Sequence, residues 1–156
     1  MSISVDVAIR SGRIPLSRER VARIASRVLR AERVRDADLS ITFVSNRAIA
    51  ALNRRHLGHS GPTDVISFEL GGSAPGTPLV GDVYIAPDVA RTNARNEGVS
   101  VTEELARLVV HGTLHALGYS HPEGSREERA GSPMWKRQEH LLRRALASED
   151  GRGSHA

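Results

Sequence analysis

The sequence contains no cysteine. That excludes disulfides, thiolate nucleophiles and sulfur-ligated metals at once. Aromatic residues are almost as scarce: Phe43, Phe68, Tyr84, Tyr119 and Trp135 are the whole set, and they form no evident platform on which bases could stack. Long apolar runs are missing too. Nothing approaches the ~20 consecutive apolar residues that span a bilayer. Asp6 interrupts the N-terminal stretch where a secretory signal would need an unbroken apolar segment, so the expected compartment is the cytoplasm. Lysine is nearly absent as well, with Lys136 alone among 22 basic residues.

What is present suffices for one domain. The 156 residues, 39% apolar and 26% charged, are globular in composition and long enough to bury a core without help from a structural metal. A single domain is expected over residues 1–147, and the polar tail 148–156, which has no core-forming content, is expected to be frayed and disordered. The charge is lopsided. Residues 1–60 carry 12 Arg against 5 acidic residues, a net +7, whereas the remainder is net −3. A basic half suits a polyanion such as RNA, although Arg20, Arg23, Arg27 and Arg30 equally fit the solvated face of a helix.

Alternation over 3–9 predicts a strand, and the spacing of Val21, Ile24, Ala25, Val28 and Leu29 predicts an amphipathic helix opened by Ser17 and running to about Glu32. A second strand is expected over 39–44, followed by a helix capped by Ser45 or Asn46 and reaching Leu57. Strands over 63–68 and 80–85, joined by the Gly-rich stretch 71–78, predict a hairpin. Pro87 starts a helix that Gly98 ends. Ser100 and Glu103 form a capping box for a helix over 101–117, and a closing helix lies within about 126–147. Four strands with helices between and after them predict an α+β or α/β sandwich.

The helix at 101–117 is apolar nearly all round, with Arg107 the one formally charged residue between 105 and 118. It nevertheless carries His111 and His115. Four residues apart, they stand one turn above each other on one face. Gly118 ends the helix and lets the chain turn back to deliver His121. Three imidazoles with an open fourth position are the arrangement of a catalytic zinc site, and all-nitrogen ligation suits zinc first, then nickel, copper or cobalt. Buried imidazoles left unpaired would also carry a desolvation cost that a metal removes. The spacing is shared with metzincin proteases, whose motif places a Glu general base directly after the first His. Here that residue is Gly112, which cannot move a proton. Met134 is expected to be a core residue rather than a Met-turn.

The stretch HGTLHALGYSH, 111–121, resembles the metal motif of the YbeY-type endoribonucleases. So do NRAIAALNRRHL (46–57), PTDVISF (62–68), VGDVYIA (80–86), EELARLVVHG (103–112) and MWKRQEHLL (134–142), in the same order. The resemblance implies a zincin-like α+β fold with a mixed four-stranded sheet packed with helices and the metal-binding helix in the core. It implies one Zn2+ on His111, His115 and His121, and cleavage of single-stranded RNA. The implied role is late small-subunit ribosomal RNA maturation and ribosome quality control. Implied partners are ribosomal RNA, the small ribosomal subunit, ribosomal proteins and a ribosome-assembly GTPase.

Two positions depart from the family pattern. Leu57 stands where the family has Arg, and Ser120 where it has Asp. Arg54, Arg55 and His59 are the nearest candidates to supply positive charge for RNA, Arg54 foremost because it precedes Leu57 by three residues. The departures leave an alternative: a ribosome-associated RNA-binding or assembly factor with weak or no catalysis. A third reading is hydrolysis of a small phosphoester. Thr63, Asp64 and Ser67 are candidates for a groove wall facing the metal. Asp82 and Ser120 are candidates to orient a ligand histidine. His140 and His155 read as surface residues.

Overall fold

The computed structural model describes residues 2–72, 76–120 and 130–153. Strand β1 (Ile3–Ile9), helix α1 (Arg18–Ala31) and strand β2 (Ala37–Phe43) form a parallel βαβ unit, with Val5 opposite Leu39. Helix α2 (Asn46–Leu52) runs on into a π-helical turn, Asn53–Leu57. Strands β3 (Val65–Gly71) and β4 (Leu79–Ile85) pair antiparallel, as the short spacing predicts. Helices α3 (Pro87–Glu97), α4 (Val101–Ala116) and α5 (Pro133–Gly153) complete the chain. The sheet order is β1-β2-β4-β3, with β4 parallel to β2 and β3 antiparallel at an edge.

Local chemistry explains the helices. Ser17, Ser45 and Ser100 each accept a hydrogen bond from the backbone three residues on, satisfying donors that a helix N-terminus leaves orphaned. The five apolar positions expected on α1 are all buried. Helix α4 is the spine of the domain. Its close approach to the sheet needs small residues on both sides. A Cβ added to Gly81 would lie 3.1 Å from Ala116 Cβ, and one added to Gly112 would lie 2.5 Å from Val83 Cγ1.

Three boundaries differ from the sequence reading. Ladder pairing in β3 starts at Val65, opposite Ile85, so Thr63 and Asp64 precede the strand. The α-helix after Ser45 stops at Leu52, because the Asn53 carbonyl accepts from Gly58 and His59 rather than from the residue four ahead. Helix α5 continues to Gly153, past its expected end at 147 and into the segment expected to fray. It starts at Pro133, where Ser132 Oγ accepts from the Trp135 amide.

One carboxylate ties three segments together. Glu32, just past α1, accepts from the Tyr119 hydroxyl at 2.8 Å and from Arg137 Nε on α5 at 2.5 Å. The bond to Glu32, with burial behind it, holds the Tyr119 hydroxyl above the ordinary tyrosine pKa. This contribution is therefore present below the ordinary tyrosine range and is lost as pH rises through the raised value. Glu32→Ala is expected to cost about 1 kcal/mol, because Tyr119 loses its acceptor while Arg137, 35% exposed, can turn to water. Thermal unfolding checks this: the loss should shrink when the substitution is made in a Tyr119→Phe background.

Candidate metal centre

Helix α4 sets the site by dividing its faces. Gly112 and Ala116 turn toward the sheet, while Leu108, His111 and His115 line a cavity of about 830 Å³. The two imidazoles lie edge to face with ring centroids 4.5 Å apart. Thr63, Asp64 and Ser67 do form a wall of this cavity. Ser67 Oγ donates to the Gly112 carbonyl at 2.9 Å, locking β3 to α4 between the two histidines. Gly118, with φ +100°, lets the chain leave the helix. The third histidine of the motif, His121, lies outside the described residues, as does His155. Among the described residues no group of three His, Asp or Glu side chains is placed to hold a metal ion.

His111 nevertheless makes the kind of outer contact that a metal-ligating histidine makes. His111 Nδ1 lies 2.6 Å from Gln138 Oε1. An amide carbonyl only accepts, so this nitrogen carries the proton and Nε2 is left with the lone pair. That is the outer bond that metal-bound histidines ordinarily make. Gln138 is 1% exposed, so the bond forms away from water.

Asp82 does not have this role. Gly81 and Val83 face α4, and a strand alternates its side chains. Asp82 therefore points to the opposite face of the sheet, beside Tyr84, whose hydroxyl is pushed up by burial first and by Asp82 second. Ser120 is exposed and does not line the cavity. Gln138 was not singled out by sequence reasoning; its signal was a glutamine on an otherwise buried stripe of the last helix, beside Met134 and Leu141.

The cavity carries a surplus of acid. Among the described residues, Asp64, Glu97, Glu104 and Glu139 line it against one arginine, Arg107. Asn93 donates to Asp64 at 3.1 Å. Glu104 is 6% exposed, and its carboxyl is pushed up by burial against the opposing bond from Arg107. Burial also disfavours the Arg107 guanidinium, but hydrogen bonds from Arg107 to Glu139, Glu103 and Glu104 outweigh it and raise its pKa. Trp135 and Leu57 supply apolar wall.

Leu57, at the end of the π-helical turn, is 50% exposed. Arg54 and Arg55 lie on the same turn but line a separate depression with Arg47. His59 is exposed and lines neither. Three rings absent from the expected picture meet elsewhere: His56, Phe68 and Tyr84 stack edge to face, with centroids 5.1 and 6.0 Å apart. Phe68 and Tyr84 lie on the sheet face away from α4. His140 is exposed, as expected.

The YbeY family, described as endoribonuclease YbeY, matches residues 6–145. The chain belongs to this family. It is 39% identical to the endoribonuclease YbeY of Thermobifida fusca over 95% of this chain and 99% of that one. It is 35% identical to that of Bacillus licheniformis, over 92% and 96% respectively. A solution structure of a Thermotoga maritima protein superposes with a TM-score of 0.60 at 21% identity, over 97% of this chain and 95% of that one. That likeness shows the fold. The zincin-like α+β architecture with a mixed four-stranded sheet, implied by the family resemblance, is the one observed. Among the described residues no helix is long and apolar enough to cross a membrane.

Proposed function

We propose that the chain is an endoribonuclease that cleaves single-stranded RNA at a zinc ion held by His111, His115 and His121, and that it acts in the cytoplasm in late small-subunit ribosomal RNA maturation and quality control. The observation that carries the reading is the His111–His115 pair in a cavity, with Gln138 fixing the His111 proton on Nδ1. Zinc is the first choice because the ligand set is all nitrogen and the sequence has no thiolate. The acid surplus among the described residues supports the same reading: four carboxylates against one arginine repel a phosphate until a cation is bound. A zinc ion there supplies Lewis-acid polarisation of a phosphoryl oxygen and a water acidified toward neutrality.

The chain's own residues supply orientation. Gln138 holds His111, Ser67 fixes the helix between the histidines, and Trp135 adds apolar wall to the cavity. The partners we propose are ribosomal RNA within the small subunit, together with ribosomal proteins and an assembly GTPase. The test is zinc-loaded protein against a labelled single strand, its duplex and a small chromogenic phosphodiester. Cleavage of the single strand alone supports the proposal. Binding without cleavage overturns it in favour of an assembly factor, and turnover of the small diester alone favours a phosphoesterase.

Leu57 faces the cavity where the family has Arg, so one cation is missing from the wall. Leu57→Arg is expected to leave zinc content unchanged and to raise cleavage about tenfold, the worth of one charge-assisted contact to phosphate. Arg54→Ala is expected to weaken RNA binding and to reduce the salt slope by roughly one unit, the signature of one lost phosphate contact. Assays of cleavage and of binding across salt concentrations check both. Parent-like binding by Arg54→Ala would place the RNA path elsewhere.

A further inference from the structure

Gln138 can serve His111 only if its amide is the right way round. The flipped amide would point its NH2 at His111 Nδ1 and drive the ring proton to Nε2. The atom that decides the orientation belongs to Glu139. Gln138 Nε2 donates to Glu139 Oε2 at 3.1 Å, and a flip would set the Gln138 carbonyl against that carboxylate, acceptor against acceptor. Adjacent residues on a helix do not face each other, so this bond needs something to draw the Glu139 side chain across.

Arg107 does so. Its Nε donates to Glu139 Oε2 at 3.0 Å and its Nη2 to Oε1 at 3.2 Å, a side-on fork. The fork is itself held, because Nη1 donates to Glu104 at 3.1 Å and Nη2 to Glu103 at 3.0 Å, both on the same helix. The Arg107 side chain is 17% exposed, so these bonds are largely sheltered from water. Arg107 stands one helical turn before His111, and the hydrogen bonds that join the two run through α5.

We infer that Arg107 is a positioning residue of the histidine site: through Glu139 and Gln138 it commits His111 to the tautomer with the proton on Nδ1, leaving Nε2 as the coordinating nitrogen. The chain of contacts is Arg107 to Glu139, Glu139 to Gln138, and Gln138 to His111. This relay rests on the metal-dependent reading for its purpose. The tautomer, however, is measured with neither metal nor RNA present, so its failure is distinguishable from a failure to cleave RNA.

The experiment uses the full chain, metal-free and ¹⁵N-labelled, with histidine ring nitrogens observed by NMR at a pH well above the imidazole range. In the parent, His111 should show a protonated Nδ1 and an unprotonated Nε2. In Arg107→Met both His111 nitrogens should move toward intermediate shifts while the His115 signals stay in place. Zn2+ affinity should fall about 10–100-fold, the usual penalty for disturbing a partner behind a ligand. If Arg107→Met does not fold, Glu139→Leu carries the test, since it leaves Arg107 paired with Glu103 and Glu104. An unchanged His111 tautomer with Zn2+ affinity like the parent's would overturn the inference. So would equal movement of His111 and His115, which marks a general loosening of α4.

Discussion

His115→Ala is expected to lower cleavage of single-stranded RNA by about a thousandfold or more, because the proposed three-histidine zinc site would lose one ligand and with it several kcal/mol of transition-state stabilisation. Zn2+ titration of the same variant should show a matching loss of affinity. His111→Ala should abolish cleavage as well, but with an added cost to the fold. It leaves Gln138 Oε1, on a side chain 1% exposed, without its donor, the His111 Nδ1 that now lies 2.6 Å away. An orphaned buried acceptor costs about 1–3 kcal/mol. The two histidines should therefore separate on thermal unfolding while agreeing on activity. Cleavage by His115→Ala within tenfold of the parent would contradict the metal-centred account.

Gly112→Ala is expected to destabilise the protein by about 1–3 kcal/mol, the range for overpacking a tight core, even though Ala is favoured over Gly in a helix by about 1 kcal/mol. The new Cβ would meet Val83 Cγ1 at 2.5 Å, Val65 Cγ2 at 3.2 Å and Ser67 Oγ at 3.3 Å. Val83 is fully buried and β-branched, so it has little room to yield. Each kcal/mol corresponds to about 2–4 °C in Tm for a chain of this size. Combining the substitution with Val83→Ala should cost less than the sum of the two singles, since the pair shares one clash. A rise in Tm for Gly112→Ala would show that α4 stands further from the sheet than described. The same crowding bears on the peptidase comparison. Position 112 faces the sheet, so the metzincin Glu would have to displace Val83 to be accommodated.

Much of this was legible in the sequence because it rests on short-range pattern. The α1 stripe, the serine caps and the β3–β4 hairpin follow from periodicity and turn chemistry. The histidine pair was legible because two imidazoles at i and i+4 on an apolar helix have few other uses. What failed depended on tertiary phase. Asp82 was a reasonable candidate until α4 settled on the Gly81 and Val83 side, and one residue of register sends a strand side chain to the other face. Gln138 lies 27 residues from His111 on a separate helix, and nothing local announces that pairing. That Arg54, on the same turn as Leu57, lines a depression separate from the histidine cavity was likewise visible only in the structure. The departure at Leu57 was visible in the sequence; that it faces the histidine cavity needed the structure.

The most direct test is to strip the purified chain of metal and return one equivalent of Zn2+, following cleavage of a labelled single-stranded RNA throughout. The account predicts that cleavage disappears on stripping and returns at stoichiometric Zn2+, and that the same addition restores nothing to His111→Ala. Undiminished cleavage by the stripped chain, or full recovery in His111→Ala, would contradict it.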